Sequence, residues 1–140
     1  MESHLQWFNS QRQDRLDYVI CLKDSEKPIG TVSFVDINMQ DLKAEAGKML
    51  GNKSMRGKGL GKEAFILWLS YGFKELNLNR IYIRTLSHNS VNIELNKKLG
   101  FRQEGVLRQD YKSNAGFQDV MVMGLLRSKA IKMGIYRIQV

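Results

Sequence analysis

Apolar residues recur at alternate positions, or in short β-branched runs, over Leu16 to Leu22, Ile29 to Ile37 and Lys43 to Leu50, which predicts three strands. The lysine, serine and proline around Glu26 supply a turn between the first two, and the polar stretch Asn38 to Leu42 separates the second from the third. From Leu60 the period becomes helical. Leu60, Ala64, Leu67, Trp68 and Tyr71 fall on one face, and Phe65, Leu69, Phe73 and Leu76 widen it, as in a helix laid on a sheet. Asn77 to Asn79 end that helix, and Arg80 to Thr85 predicts a short strand with Ile81 and Ile83 on one face. A second helix runs from Asn89, a good N-cap, through Val91 and Leu95 to Leu99, with Gly100 where a left-handed cap is common. Phe101 to Leu107 and Phe117 to Leu125 predict a closing hairpin with Asp110 to Gly116 as its loop. Leu5, Trp7 and Phe8 among polar neighbours predict a short amphipathic helix over Glu2 to Gln13, with Ser3 as its cap. Three strands, helix, strand, helix and two strands is an α/β order with a mixed sheet.

The junction between the third strand and the long helix reads Ser54-Met55-Arg56-Gly57-Lys58-Gly59-Leu60-Gly61-Lys62. Three glycines at spacing two cost about 1 kcal/mol each relative to alanine if helical. Bare amides at a helix N-terminus form an anion site, and Arg56, Lys58 and Lys62 add cations. The turn therefore reads as a phosphate or pyrophosphate cradle, against the plainer reading of glycines that only permit a tight turn. A Walker loop is excluded, since Arg56 stands where its first glycine belongs and Glu63 where its hydroxyl belongs. The dinucleotide fingerprint is excluded as well, because Lys62 occupies its last glycine position.

What remains is Arg-x-x-Gly-x-Gly over Arg56, Gly59 and Gly61, and it resembles the pyrophosphate loop of the GNAT superfamily of acetyl-CoA-dependent N-acetyltransferases. A second stretch, Asn89-Ser90-Val91-Asn92-Ile93-Glu94-Leu95-Asn96-Lys97-Lys98-Leu99-Gly100-Phe101, looks like the family's second helix motif. The resemblance covers roughly Asp17 to Leu126. It implies a mixed, mostly antiparallel central sheet flanked by helices, in a single domain over 1–128 that is short at its N-terminus, followed by a C-terminal tail over 129–140. The branch it points to holds ribosomal-protein alanine, polyamine and amino-sugar-nucleotide acetyltransferases, and Glu45 to Leu50 together with Trp7-Phe8 lean towards the last.

Acetylation of an amine needs a bound thioester, a deprotonated amine, stabilisation of the oxyanion and a proton for the leaving thiolate. The resemblance assigns acetyl-CoA to Arg56, Gly57, Lys58, Gly59, Leu60, Gly61 and Lys62, its pantetheine arm to the backbone of Met49 and Leu50, and a further contact to Asn89. Alternation places Glu45, Gly47 and Met49 on one strand face. Glu45 corresponds to an acid that the family uses, so the resemblance makes it the expected general base, acting through water, or else it is an ordinary surface charge beside Lys43 and Lys48. Many relatives carry a tyrosine acid where this chain has Asn96, and an amide cannot protonate a thiolate. Asn96 is expected to position the sulfur or the pantetheine, with Tyr111 as a weaker substitute acid.

Composition narrows this little. A net charge of +8 and a pI near 9.7 suit an anionic ligand. The rival classes are a nucleic-acid-binding module, supported by charge alone, and a CoA-binding protein without turnover. The single Cys21 lies in an apolar run and reads as core in a reducing compartment. No apolar stretch or signal pattern predicts a membrane span or export, so the expectation is cytoplasmic; neither histidine has a metal-ligand spacing partner, so no metal is expected. Relatives carry a strand and helix ahead of the first helix read here, so the first strand of the sheet is expected to be missing. Its absence would leave Leu16 to Leu22 as an open edge, covered either by the β-prone tail Ile135 to Val140 or by a second subunit in a homodimer.

Overall fold

The computed structural model describes residues 3–8, 14–51 and 59–136. The elements are β1 (Ser3–Phe8), β2 (Leu16–Leu22), β3 (Pro28–Asn38), β4 (Lys43–Leu50), α1 (Leu60–Lys74), β5 (Arg80–Leu86), α2 (Ser90–Leu99), β6 (Arg102–Ser113), β7 (Gly116–Leu126) and α3 (Arg127–Lys132). The strands form one sheet in the order β1-β2-β3-β4-β5-β7-β6. Every neighbouring pair is antiparallel except β4 and β5, which are joined by α1 as a crossover.

The two ends of the chain differ from expectation. Residues 3–8 form an edge strand, with Ser3 opposite Leu22 and Phe8 opposite Asp17, where a short helix is expected from the sequence. A strand therefore does lie beside β2, and the open edge that was the reason to expect a homodimer is occupied. At the other end Ala130 of α3 is buried, and Ile135 and Tyr136 enter the core with the Tyr136 ring 5.6 Å from that of Phe73. These two tail residues pack beneath α1 and do not pair with β2; residues 137–140 lie outside the described residues. The closing hairpin is also longer than its apolar runs suggest. Strand pairing continues to Ser113 opposite Gly116, so Asp110 to Ser113 belong to a strand and not to a loop.

One face of the sheet is covered by α1. Ala64, Phe65, Trp68, Leu69, Gly72 and Phe73 turn inward, while Leu67, expected on that face, is 44% exposed. The Trp68 ring stacks on Phe34 at 4.4 Å, and its Nε1 donates to the Ser33 carbonyl at 2.9 Å. The far end of α1 is capped by a distant residue: Arg127 Nη1 donates to the carbonyls of Phe73 (2.7 Å) and Leu78 (3.3 Å), placing a cation at the negative helix end. Cys21 is buried, and burial pushes its thiol above the usual pKa, as for a core residue.

The helix rests on the sheet through Gly72, where a Cβ would meet Phe34 Cζ at 2.6 Å and Ile81 Cδ1 at 2.9 Å. Gly72→Ala is expected to lower unfolding stability by about 1–3 kcal/mol through overpacking, despite alanine's better helix propensity. Gly105→Ala, which meets nothing within 4 Å, should stay within about 0.5 kcal/mol of the parent. Equilibrium urea denaturation of both variants checks this, and equal effects would contradict it.

Candidate functional site

β4 and β5 pair at only three positions, Lys43 with Arg80, Ala44 with Ile81 and Glu45 with Tyr82. Beyond these the strands part, since β4 stays with β3 as far as Leu50 while β5 stays with β7 as far as Leu86. A wedge opens between them, and from Ala46 to Met49 the β5-facing edge of β4 has no partner strand. The N-terminus of α1 stands beyond the end of β4. Gly59 enters it at φ +77°, with no side-chain cap and open space where a Cβ would be. Gly61 is buried against Leu50. An uncapped helix start, bare of side chains, suits an anion, and a free strand edge suits an extended amide-bearing arm. The described part of the site thus fits acetyl-CoA. Arg56, Gly57 and Lys58 lie outside the described residues; Leu60 and Lys62 fall in the first turn of α1, with Lys62 exposed.

Glu45 and Met49 share the sheet face opposite α1, because Ala44 and Ala46 between and beside them are buried towards the helix. A cavity of about 420 Å³ on that side is lined by Glu45, Arg84, Thr85, Leu86, Asp110, Tyr111 and Val120. Glu45 is its least exposed charge, with 15% of the side chain accessible. Arg84 Nε donates to Glu45 Oε1 at 3.1 Å, and Arg84 Nη1 lies 3.7 Å from Asp110 Oδ2. Glu45's charge, with Asp110 adding to it, raises the Arg84 pKa above its ordinary value. Burial raises the Tyr82 phenol, and the charges of Glu45 and then Asp36 raise it further. Asp110 reaches Arg84 across the intervening β7 because β6 bulges between Leu107 and Tyr111, where Gln109 takes φ +54° and its N–H donates to Asp119 Oδ1 at 2.8 Å.

The second motif forms a different arrangement. Asn89 caps α2, its side chain accepting from the Asn92 N–H at 3.2 Å. Asn92 Nδ2 donates to Thr85 Oγ1 at 3.0 Å, tying α2 to β5 beside the wedge. Asn96 is buried and returns its Nδ2 to the Asn92 carbonyl at 2.8 Å. It does not line the cavity that Glu45 and Tyr111 share. Arg84, Thr85 and Asn92 are missed by the sequence reading, which takes Asp110 as a loop acid that could meet a cationic amine. Arg84 was readable as the alternate-face partner of Ile83, whereas Asp110 depended on the bulge.

A larger cavity, about 960 Å³, lies at the opposite end of β5 and β7, lined among others by Lys97, Phe101, Arg102, Glu104, Lys129 and Met133. Its one carboxylate, Glu104, accepts from Arg80 Nη1 at 2.6 Å. Among the described residues no cluster of His, Cys, Asp or Glu could hold a metal, and no helix is long and apolar enough to cross a membrane.

The family model "Acetyltransferase (GNAT) domain" matches residues 1–102. The uncharacterized N-acetyltransferase p20 of Bacillus licheniformis is 36% identical over 79% of this chain, which spans only 61% of that relative. A spermidine N(1)-acetyltransferase of Vibrio cholerae is 30% identical over 87% of the chain and 70% of the relative. A crystal structure of mutant forms of the spermidine/spermine N-acetyltransferase SpeG from Vibrio cholerae superposes with TM-score 0.83 at 27% identity, over 89% of this chain and 74% of that one. A structure of that enzyme described as dodecameric gives 0.81 at 28% identity, over 87% and 70%. The spermidine acetyltransferases among these relatives correct the leaning drawn from Glu45 to Leu50 and Trp7-Phe8: within the expected branch the likeness is to polyamine enzymes, not to ribosomal-protein or amino-sugar-nucleotide ones.

Because Thr85 is only 7% exposed, Asn92→Ala strands its hydroxyl and should cost about 1–3 kcal/mol. Replacing Thr85 with valine in that background should recover part of the loss. A double-mutant cycle by thermal denaturation checks the coupling, and strictly additive losses would deny it.

Proposed function

Since this chain belongs to the GNAT acetyltransferase domain family, we propose that it transfers an acetyl group from acetyl-CoA to a primary amine, and that the amine is a polyamine of the spermidine kind. The observation that carries the transfer is the wedge between β4 and β5, with the uncapped N-terminus of α1 at its mouth. The polyamine is supported by the relatives and by the carboxylates of Glu45 and Asp110 in the cavity beside the wedge. A sugar nucleotide would bring phosphate against those same carboxylates.

Acetyl-CoA supplies an activated acetyl thioester; everything else falls to the protein. Gly59, Leu60, Gly61 and Lys62, with Arg56, Gly57 and Lys58, would hold the pyrophosphate. The free edge of β4 at Met49 and Leu50 would hold the pantetheine arm through backbone hydrogen bonds and would offer an amide to the thioester carbonyl. Glu45 accepts the amine proton through a water at Oε2, the oxygen not engaged by Arg84. Asn89 and Asn96 order the start and core of α2. The hydroxyl for the departing sulfur is that of Tyr111, which lines the same cavity as Glu45. The homo-oligomer proposed earlier for a β2 edge finds different support in the dodecameric relative.

Gly59→Asp keeps a residue type that tolerates positive φ and suits a helix N-terminus, so the protein should remain folded. It places a carboxylate where phosphate must approach, and CoA binding by calorimetry should weaken at least tenfold; parental affinity would put the cofactor elsewhere. Glu45→Gln should lower kcat about 10²- to 10⁴-fold with little change in the KM for acetyl-CoA. CoA binding without acetylation of spermidine, putrescine or peptide amines would leave a binding protein and no enzyme.

A further inference from the structure

Among the described residues the only cation lining the cavity beside the wedge is Arg84, and it lies between that cavity's two carboxylates. Its Nε meets Glu45 Oε1 at 3.1 Å, and its Nη1 stands 3.7 Å from Asp110 Oδ2, so one guanidinium bridges the two carboxylates that line the space. Exposure is uneven across the trio: 15% of the Glu45 side chain is accessible, against 41% for Asp110 and 47% for Arg84. The carboxylate is fixed and the cation can move. A guanidinium does not lose its proton in a protein, so the contact can be relieved only by displacement.

Resting on the reading of the site as an amine acetyltransferase, we propose that Arg84 is a built-in surrogate for the acceptor's ammonium group, occupying the Glu45–Asp110 site until a cationic amine displaces it. In the resting protein it keeps a largely covered carboxylate from standing unpaired. On arrival the ammonium takes over the same oxygens and Arg84 swings into solvent. Glu45 is therefore handed from a partner that cannot give up a proton to one that must. The exchange costs little on the cation's side, because the Arg84 side chain is about half exposed and gains water as it leaves. An uncharged amine, or an alcohol of the same shape, cannot make the exchange and is rejected.

Arg84→Met tests this in the full chain, with Arg108→Met as an equal loss of charge at an exposed β6 position outside the cavity. Spermidine is titrated calorimetrically into each protein saturated with CoA, and kcat/KM for spermidine is measured. Arg84→Met should bind spermidine about three- to tenfold more tightly and raise kcat/KM in step, while Arg108→Met changes either by less than about twofold. Unchanged or weaker binding in Arg84→Met, or a fall in its kcat/KM, would overturn the proposal and make Arg84 an orienting group for Glu45. Equal tightening in both variants would overturn it in favour of a general charge effect. Spermidine binding to none of the three proteins, with CoA binding intact, would remove both this proposal and the polyamine reading. Tighter binding in Arg84→Met without acetyl transfer by any of the three proteins would uphold it and defeat only the catalytic reading.

Discussion

The site depends on where a parallel strand pair ends. β4 and β5 are held together at three positions and then drawn apart, each by an antiparallel partner that continues past the break. Parallel neighbours need a crossover, and here it is α1, pressed onto the sheet through Trp68 and Gly72. A crossover helix starts beyond the C-terminal end of the strand it follows, so the uncapped amides of α1 come to the mouth of the wedge. A free strand edge, a positive helix end and a cavity with a covered carboxylate all follow from that one divergence.

The two sheet faces carry different work. Alternation sends Ala44 and Ala46 of β4, and Ile81, Ile83 and Thr85 of β5, towards the helices, where they make the core and anchor Asn92. The intervening Glu45, Tyr82 and Arg84 fall on the other face, and their charges perturb one another there. Chemistry that needs a hydrated carboxylate is thus separated by one strand thickness from packing that excludes water. Two ion pairs cross β7 on this pattern, Arg80 with Glu104 above Gly124 and Arg84 with Asp110 beside the β6 bulge.

Strands β2 to β5 and helices α1 and α2 were legible because each has a single strong period and clear stop signals. Lys43–Leu50 matches the expected third strand to the residue, and Asn89 and Gly100 do cap α2. Residues 3–8 were misread because Leu5, Trp7 and Phe8 are too few to separate a helical period from an alternating one, and pairing with β2 decided the matter. Leu67 satisfied the helical spacing, but α1 meets the sheet along a narrower stripe centred on Trp68. Glu45 could be placed from alternation alone. Asp110 could not, since its approach to Arg84 depends on a bulge set by the positive φ of Gln109, for which a glutamine gives no sequence signal.

Charge resolves a tension in the proposed reaction. A chain of net charge +8 attracts a nucleotide polyanion over its whole surface but repels a polyamine on approach. At physiological ionic strength that repulsion is screened beyond about 8 Å, whereas a partly covered carboxylate at contact is screened far less. In the proposed reaction the global field would draw in CoA, and the local field of Glu45 and Asp110 would hold the amine. In the proposed exchange Arg84 offsets one of those two negative charges until the amine is present, so the most covered carboxylate of the cavity need not stand bare in a protein otherwise built to gather anions.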